Sequence, residues 1–328
     1  MYDIFDMQQS DYAGVVDTTG FEPALLATDH ADQHFAALDQ DGRIRARCSI
    51  WWRDTAVIDN APSGAIGHYA ADSVESARVL LEHACRELTI YGCAYAIGPM
   101  DGNTWRNYRF VTERGSAKPF FLEPDNPHEW PQHFRQTGFS TYLNYVSELN
   151  PDFPNRQPEL GTLRDKFADL GVAIEPFDLN CPAEDMQGLY QVVCEAFADS
   201  PLYTPLGYDQ FVKMYVPLMS TVDPRLMLVA RHEGQVVGFV FSPPDYLQSS
   251  RPAEIDTIVI KTIAILPRTA YSGLGRVLIV DMLKNAEAMG YRQAISALMH
   301  TQNRSQKISR DCAAHMRCYE LFGRKLSP

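Results

Sequence analysis

Gly273, Leu274 and Gly275 carry the first chemical signal in this chain. Glycine lacks a Cβ, so a turn built on it lets main-chain N–H groups come close to a ligand. Leu274, Val277, Leu278, Met282, Ala286 and Met289 then recur at helical spacing, and Gly290 ends the run. A glycine turn opening a helix aims several amides at one point, and the helix dipole favours negative charge there. The implied chemistry is capture of a phosphate or pyrophosphate. No lysine followed by Ser or Thr comes after the last glycine, so this is not a Walker loop. Leu278 stands where the dinucleotide fingerprint would have its third glycine. On these residues alone, a plain strand-to-helix turn remains the alternative.

The elements around the turn must hold it in place. Residues 258–266 form an apolar, β-branched run interrupted only by Lys261, Thr262 and Ala264, and predict a mostly buried strand stopped by Pro267. A lysine inside such a run loses hydration and needs a partner. Lys261 is expected either to orient a carboxylate of a bound molecule or to form an ion pair with the first half of the chain. A second strand is predicted over 292–299. Upstream, 172–177 reads as a strand, 182–197 and 208–219 as helices, and 225–232 with 235–241 as a hairpin around Glu233-Gly234.

The first half repeats this order. Strands are predicted over 33–39 and 43–52 around Asp41-Gly42, then over 64–71 and 94–99, with a helix over 74–91 between the last two. Asp72 or Ser73 caps that helix and Gly92 ends it. Residues 103–130 predict a long loop in which Trp105, Arg106, Tyr108, Arg109 and Phe110 are candidates to line a pocket or to pack between halves. A short helix over 133–138 and a strand over 139–149 follow. Pro131 is expected to break the helix that a zinc motif through His128, Glu129 and His133 would need. Pro151, Pro154 and Pro158 mark a linker.

Ile265-x-Pro267, Gly273-x-Gly275, the following helix and strand, and the segment His300-Thr301-Gln302-Asn303-Arg304-Ser305 together resemble the acyl-CoA loop and its surroundings in the GNAT N-acetyltransferase superfamily. The resemblance covers the second half well and the first half more weakly. It implies an α+β (α/β) fold of two GNAT-like domains, each a mixed, mostly antiparallel twisted sheet flanked by helices. Residues 1–150 would be a degenerate copy, 151–162 a linker, and 163–328 the acyl-CoA-binding domain. In the degenerate copy the strand-to-helix junction has no glycine, and Asp72 would repel phosphate.

The implied activity is CoA-dependent transfer of an acyl group, acetyl foremost, to a primary amine of a small molecule by direct attack. The alternative is a non-catalytic acyl-CoA-binding protein. A third reading, aminoacyl-tRNA-dependent transfer by paired GNAT-like domains, sits poorly with the acidic charge. The resemblance assigns Ile263, Ala264 and Ile265 to the pantetheine arm and the thioester oxygen. It assigns the amides of Ala270, Tyr271, Ser272, Gly273, Leu274, Gly275 and Arg276 to the phosphates, and Asn303 and Ser305 to the arm's other side. Ala270 and Tyr271 stand where the family loop carries Gln or Arg and a glycine, so the Tyr271 ring is expected to turn outward or narrow the groove. Arg310 stands where many members place an acidic tyrosine. Asp245 and Asp256, with Glu254, are candidate bases. Tyr319, with Ser309, Tyr203 and Tyr271, are candidate acids. Tyr203 and Thr204, in a loop that borders the acceptor site in this fold, and Lys261 are assigned to substrate binding.

Composition bounds the rest. A net charge of −12 argues against nucleic acid. Residues 251–328 alone are basic, with 12 Lys and Arg against 6 Asp and Glu, and they hold the glycine turn. No apolar run approaches the ~20 residues that cross a bilayer. The acidic N-terminus lacks a signal-peptide pattern. Seven scattered cysteines suggest a reduced, cytoplasmic protein. Cys312, His315 and Cys318 lack zinc-site spacing, so no metal is expected. The partner is a small amine, without nucleic acid or membrane, in a monomer or homodimer.

Overall fold

The computed structural model describes residues 2–12, 15–17, 20–156, 160–178, 183–219, 221–302 and 313–327. The chain begins with β1 (Asp3–Asp6), β2 (Val16–Asp17) and α1 (Leu25–Thr28), then forms the hairpin of β3 (Gln33–Leu38) and β4 (Arg43–Trp51). Gly42 closes that hairpin at φ +75°, which glycine adopts freely. After β5 (Val57–Ile58) and β6 (Ala61–Ala71) comes α2 (Val74–Ile90). Ser73 caps it, its hydroxyl accepting from the Ser76 amide at 3.2 Å. Ala77, Leu80, Leu81, Ala84 and Leu88 form its buried stripe. Next are β7 (Tyr95–Gly98), β8 (Phe110–Glu113), α3 (Trp130–Gln136) and β9 (Ser140–Asn150).

Two expectations change here. The loop predicted over 103–130 contains a strand, β8, which pairs with the far end of the chain. Pro131 does not break a helix: it sits in the first turn of α3, where its missing N–H goes unneeded.

The second half holds α4 (Gly161–Asp169), β10 (Ala173–Pro176), α5 (Ala183–Phe197), α6 (Tyr208–Met219), β11 (Met227–His232) and β12 (Gln235–Phe241). Glu233 and Gly234, at φ +52° and +77°, make the tight turn between β11 and β12. Then come β13 (Thr257–Ile260), β14 (Thr262–Ile265), α7 (Leu274–Ala288), β15 (Gln293–His300) and β16 (Ala314–Lys325). The apolar run from 258 is thus one strand path broken at Lys261.

The fold is mixed α+β. One large sheet runs β1-β3-β4-β6-β7-β16-β9-β15-β13, and a smaller one runs β10-β11-β12-β14. Most pairs are antiparallel; β2 with β4, β6 with β7, and β13 with β15 are parallel. The large sheet crosses both halves. β9 pairs with β15 through Asn150 and Ala294, and β16 lies between β7 and β9. One core forms around α2 and β4; another forms around α5, α7, β11 and β12. Among the described residues no helix is long and apolar enough to cross a membrane.

Candidate active site

β13 and β15 run parallel from the pair Thr257–Gln293 to the pair Ile260–Ser296, then separate. β14 turns to β12, with Thr262 opposite Phe241 and Ile265 opposite Gly238. β15 stays with β9, its partner on the other side, from Ala294 opposite Asn150 to His300 opposite Tyr145. The break falls on Lys261, whose amide donates to the Phe241 carbonyl at 3.1 Å. β14 becomes the edge of its sheet, and Ile263, Ala264 and Ile265 face Ala297, Leu298 and Met299 across the gap as cavity lining. An edge strand beside a gap offers main-chain groups to an extended, amide-bearing ligand.

The glycine turn stands beside β14. Gly273 adopts φ +95° just before α7. A Cβ on Gly275 would come within 3.1 Å of Ile263 Cδ1 and 3.6 Å of Ile265 Cγ1, so glycine keeps the space between helix start and strand open. Arg276 lines the cavity. Tyr271 turns neither outward nor into the groove: its ring is buried in the second-half core, and its hydroxyl meets His232 Nδ1 at 2.9 Å. Lys166 on α4 donates to the Ser272 carbonyl at 2.9 Å. This cation beside the turn was missed because it lies about a hundred residues upstream, with no local signal.

The gap opens into a cavity of about 1070 Å³ between the two halves. Trp105, Tyr108, Arg109, Leu122 and Tyr145 line it from one side, and Tyr203, Phe211 and Tyr215 from the other. The Trp105 indole donates to the Thr204 carbonyl at 2.9 Å and lies 5.8 Å from the Tyr203 ring. Tyr203 therefore faces the cavity, while Thr204 serves as an anchor for the first half. Arg106 also lines the cavity, but its charge is paired with Asp29 at 3.0 Å. Phe110 lies in the core of the first half.

The acid–base candidates lie elsewhere. Asp245 is buried, which raises its pKa, and it accepts from the amides of Phe121 at 2.8 Å and Leu247 at 3.2 Å. It ties the two halves together. Burial pulls the Asp256 carboxyl upward, but hydrogen bonds from Gln248, Thr257 and Gln293 outweigh it and hold the pKa below the usual value. Glu254 pairs with Arg251 at 2.9 Å. Tyr319 is fully buried, its hydroxyl donating to Glu123 and lying 3.0 Å from Ser147 Oγ. Burial and the Glu123 charge push its pKa far up. None of these four lines the cavity. Asn303, Ser305, Ser309 and Arg310 lie outside the described residues.

The titratable groups that do line the cavity include Asp199, Lys261 and His300. Burial, then Arg109, push the His300 pKa below 6.5, so its imidazole is neutral at pH 7. Lys261 is half-buried and donates to the Leu122 carbonyl at 3.1 Å. Burial, then Arg109, lower its pKa to about 7 against the pull of Glu123. The ion pair expected with the first half is replaced by this carbonyl contact. Glu123 is already occupied by Arg317 at 2.7 Å, the Tyr319 hydroxyl and the Phe120 amide at 3.1 Å.

His315 Nε2 lies 3.5 Å from Cys318 Sγ and 3.9 Å from Glu113 across β8 and β16, outside the cavity lining. Among the described residues the first half shows no matching gap. β6 and β7 stay joined, with the Met100 amide on the Ile66 carbonyl at 2.8 Å, and Asp72 at the start of α2 pairs with Arg45 at 2.9 Å. CoA should therefore bind once per chain. Asp72→Asn should leave a calorimetric stoichiometry of one; a second bound CoA would contradict this account of the first half.

This fold is that of the GCN5-related N-acetyltransferases, in a tandem arrangement. A GCN5-related N-acetyltransferase from Sphaerobacter thermophilus superposes with a TM-score of 0.52 at 14% identity, covering 94% of this chain and 84% of that one. A tandem GNAT protein from the clavulanic acid biosynthesis pathway gives 0.54 at 10% identity, covering 100% and 99%. An Enterococcus faecalis protein described as a probable N-acyltransferase gives 0.57 at 10% identity, covering 99% and 73%. At these identities the likeness concerns the fold. No protein-family model and no curated protein sequence matches the chain.

Proposed function

We propose that the protein is a CoA-dependent N-acyltransferase moving an acyl group, acetyl foremost, to a primary amine of a small molecule. The observation that carries this reading is the parting of β14 from β15 beside the glycine turn and its open helix start. The GNAT fold supports it. The same proposal divides the chain at residues 150 and 163 into a first half without a groove and a second half that carries it.

Bound acyl-CoA supplies the thioester. The amides of Tyr271, Ser272 and Arg276 already donate to the carbonyls of Arg268, Thr269 and Gly273, so the phosphates fall to the remaining amides of residues 270–276, and Arg276 and Lys166 add positive charge nearby. The free edge of β14 pairs with the pantetheine amides and offers an N–H where oxygen charge develops. The amine must reach the carbonyl neutral, although alkylamines have pKa values near ~10. His300, neutral at pH 7 and lining the cavity, takes the amine's proton as the C–N bond forms; the C–S bond then breaks and the CoA thiolate leaves, protonated by water. Tyr203 borders the acceptor.

Calorimetry with acetyl-CoA, followed by thiol release across an amine panel, tests the reading. Tight binding without turnover of any amine would make this a binding protein. With an active amine, His300→Gln should lower kcat about 100-fold. It should also erase the acidic limb of the pH–rate profile, which in the wild type falls below pH 6.5. An unchanged limb would assign the base elsewhere.

A further inference from the structure

We propose that Arg109 and Lys261 form a paired cation site that binds a carboxylate carried by one of the two reactants. The inference rests on the transferase reading only for its word "reactant"; the cation site itself stands on geometry.

Arg109 is 8% exposed and lines the cavity. Its guanidinium sits in the corner formed by two nearly perpendicular rings, 3.8 Å from the Tyr108 ring centre and 4.0 Å from that of Tyr145. One N–H donates to the Leu298 carbonyl at 3.2 Å. Nε is buried without a partner. The backbone there sits at φ +69°, a conformation that costs energy for a non-glycine residue, and is pinned by the Arg109 amide on the Pro99 carbonyl at 2.9 Å. Lys261 projects toward the same place from the break between β13 and β14, with one bond to the Leu122 carbonyl. The two cations are close enough for Arg109 to lower the lysine's pKa. Among the described residues, no carboxylate pairs with either one within 4 Å.

A buried guanidinium beside a half-buried ammonium, with no anion between them, is costly, and packing alone does not offset that cost. The two aromatic contacts offset part of the arginine's cost. They do nothing for Lys261 and leave Nε empty. Elsewhere in the cavity, Arg106 is paired with Asp29, Arg276 stands at the start of α7, and Asp199 adds a carboxylate that pairs with neither Arg109 nor Lys261 within 4 Å. The chain as a whole carries −12, so a cationic spot here is a local feature. A planar carboxylate matches the guanidinium fork, and a lysine beside it completes the charge. The spot lies beside the gap between β14 and β15, so the carboxylate belongs close to the reacting centre. An α-amino acid acceptor or a short dicarboxylic acyl group would place it there.

The first test needs no acyl transfer. Succinate should raise the Tm of the full chain and bind by calorimetry, while its uncharged isostere succinamide should not. Arg109→Gln and Lys261→Met should each weaken succinate about 10- to 100-fold, and Lys261→Arg should recover part of the loss. Should Arg109→Gln fail to fold, the lysine pair of variants reads the site alone. Equal binding of succinate and succinamide, or undiminished binding by the variants, would overturn the proposal.

The second test locates the carboxylate. L-amino acids are compared with their decarboxylated amines using acetyl-CoA, and succinyl-CoA with acetyl-CoA using a fixed amine. A preference of about 100-fold in kcat/KM in the first arm puts the carboxylate on the acceptor, and in the second arm on the acyl group. Turnover with no preference in either arm would overturn the proposal. Failure of acetyl-CoA to bind would sink the transferase reading and leave the succinate result standing.

Discussion

Gly275→Glu is expected to weaken CoA binding by more than about 100-fold while leaving the fold intact. A side chain at 275 starts toward β14, with its Cβ 3.1 Å from Ile263 Cδ1, a flexible terminus that can yield. The backbone there is ordinary helix. Gly273 is a poorer probe, because it sits at φ +95° and a Cβ would come 2.9 Å from Leu163, so loss of binding would be confounded by strain. The glutamate places a carboxylate between helix start and strand, where the phosphates are expected. At roughly 5 Å from each of two phosphate charges and an effective dielectric of about 40, the repulsion is about 3 kcal/mol, or more than 100-fold. Gly275→Ala fills the same space without charge and should lose far less. Calorimetry with CoA, beside thermal unfolding, reads both variants. Unchanged affinity in Gly275→Glu would place the cofactor elsewhere.

The region around this turn was legible because its signals are local. A β-branched run, a proline stop, a glycine turn and a 3.6-residue stripe each act within a few residues. The break at Lys261 was visible as a charge inside an apolar run. What escaped depends on distant pairing. β16 was hidden because Arg317 occupies a core position, 1% exposed, where a strand pattern calls for an apolar residue. Only Glu123 and the carbonyls of Arg114, Ala117 and Lys118 make that arginine tolerable there, and all four come from the first half. The same long-range assembly removed the expected bases and acid from the cavity. Asp245 looks like a solvated strand end, yet the loop bearing Phe121 covers it. Tyr319 looks like an available hydroxyl, yet it is sealed against Ser147 and Glu123. Arg109, a candidate from sequence to line a pocket, does face the cavity, and so does His300, which opens the segment carrying the resemblance but has no spacing signal of its own for a base.

Lys261→Met should make the protein more stable while costing it the proposed carboxylate. Methionine keeps the length of the lysine stem and removes an ammonium that has only the Leu122 carbonyl for company. Replacing an uncompensated, largely desolvated charge with packed apolar atoms is worth about 1–4 kcal/mol, a rise of roughly 2–6 °C in Tm for a chain of this size. The pH dependence has a definite sign. The lysine titrates at 10.5 unfolded and at about 7 folded. Between these values the unfolded chain holds more protons, so wild-type stability from this group rises with pH across the window, and the penalty is complete below about pH 7. The advantage of Lys261→Met is therefore largest at pH 7 and below, and shrinks toward pH 10. Thermal unfolding of both proteins from pH 6 to 10 would show the two curves converging; parallel curves would mean that Lys261 is not desolvated in the fold. A bound carboxylate acts in the opposite direction. It favours the ammonium against Arg109 on one side and adds to Glu123 on the other, so succinate should draw a proton into the wild type near pH 7.5 and bind more weakly as pH rises further. Lys261→Met should show neither effect. A residue that weakens the empty protein and is repaid only when an anion arrives is a ligand contact, and the convergence of the two stability curves separates that role from packing.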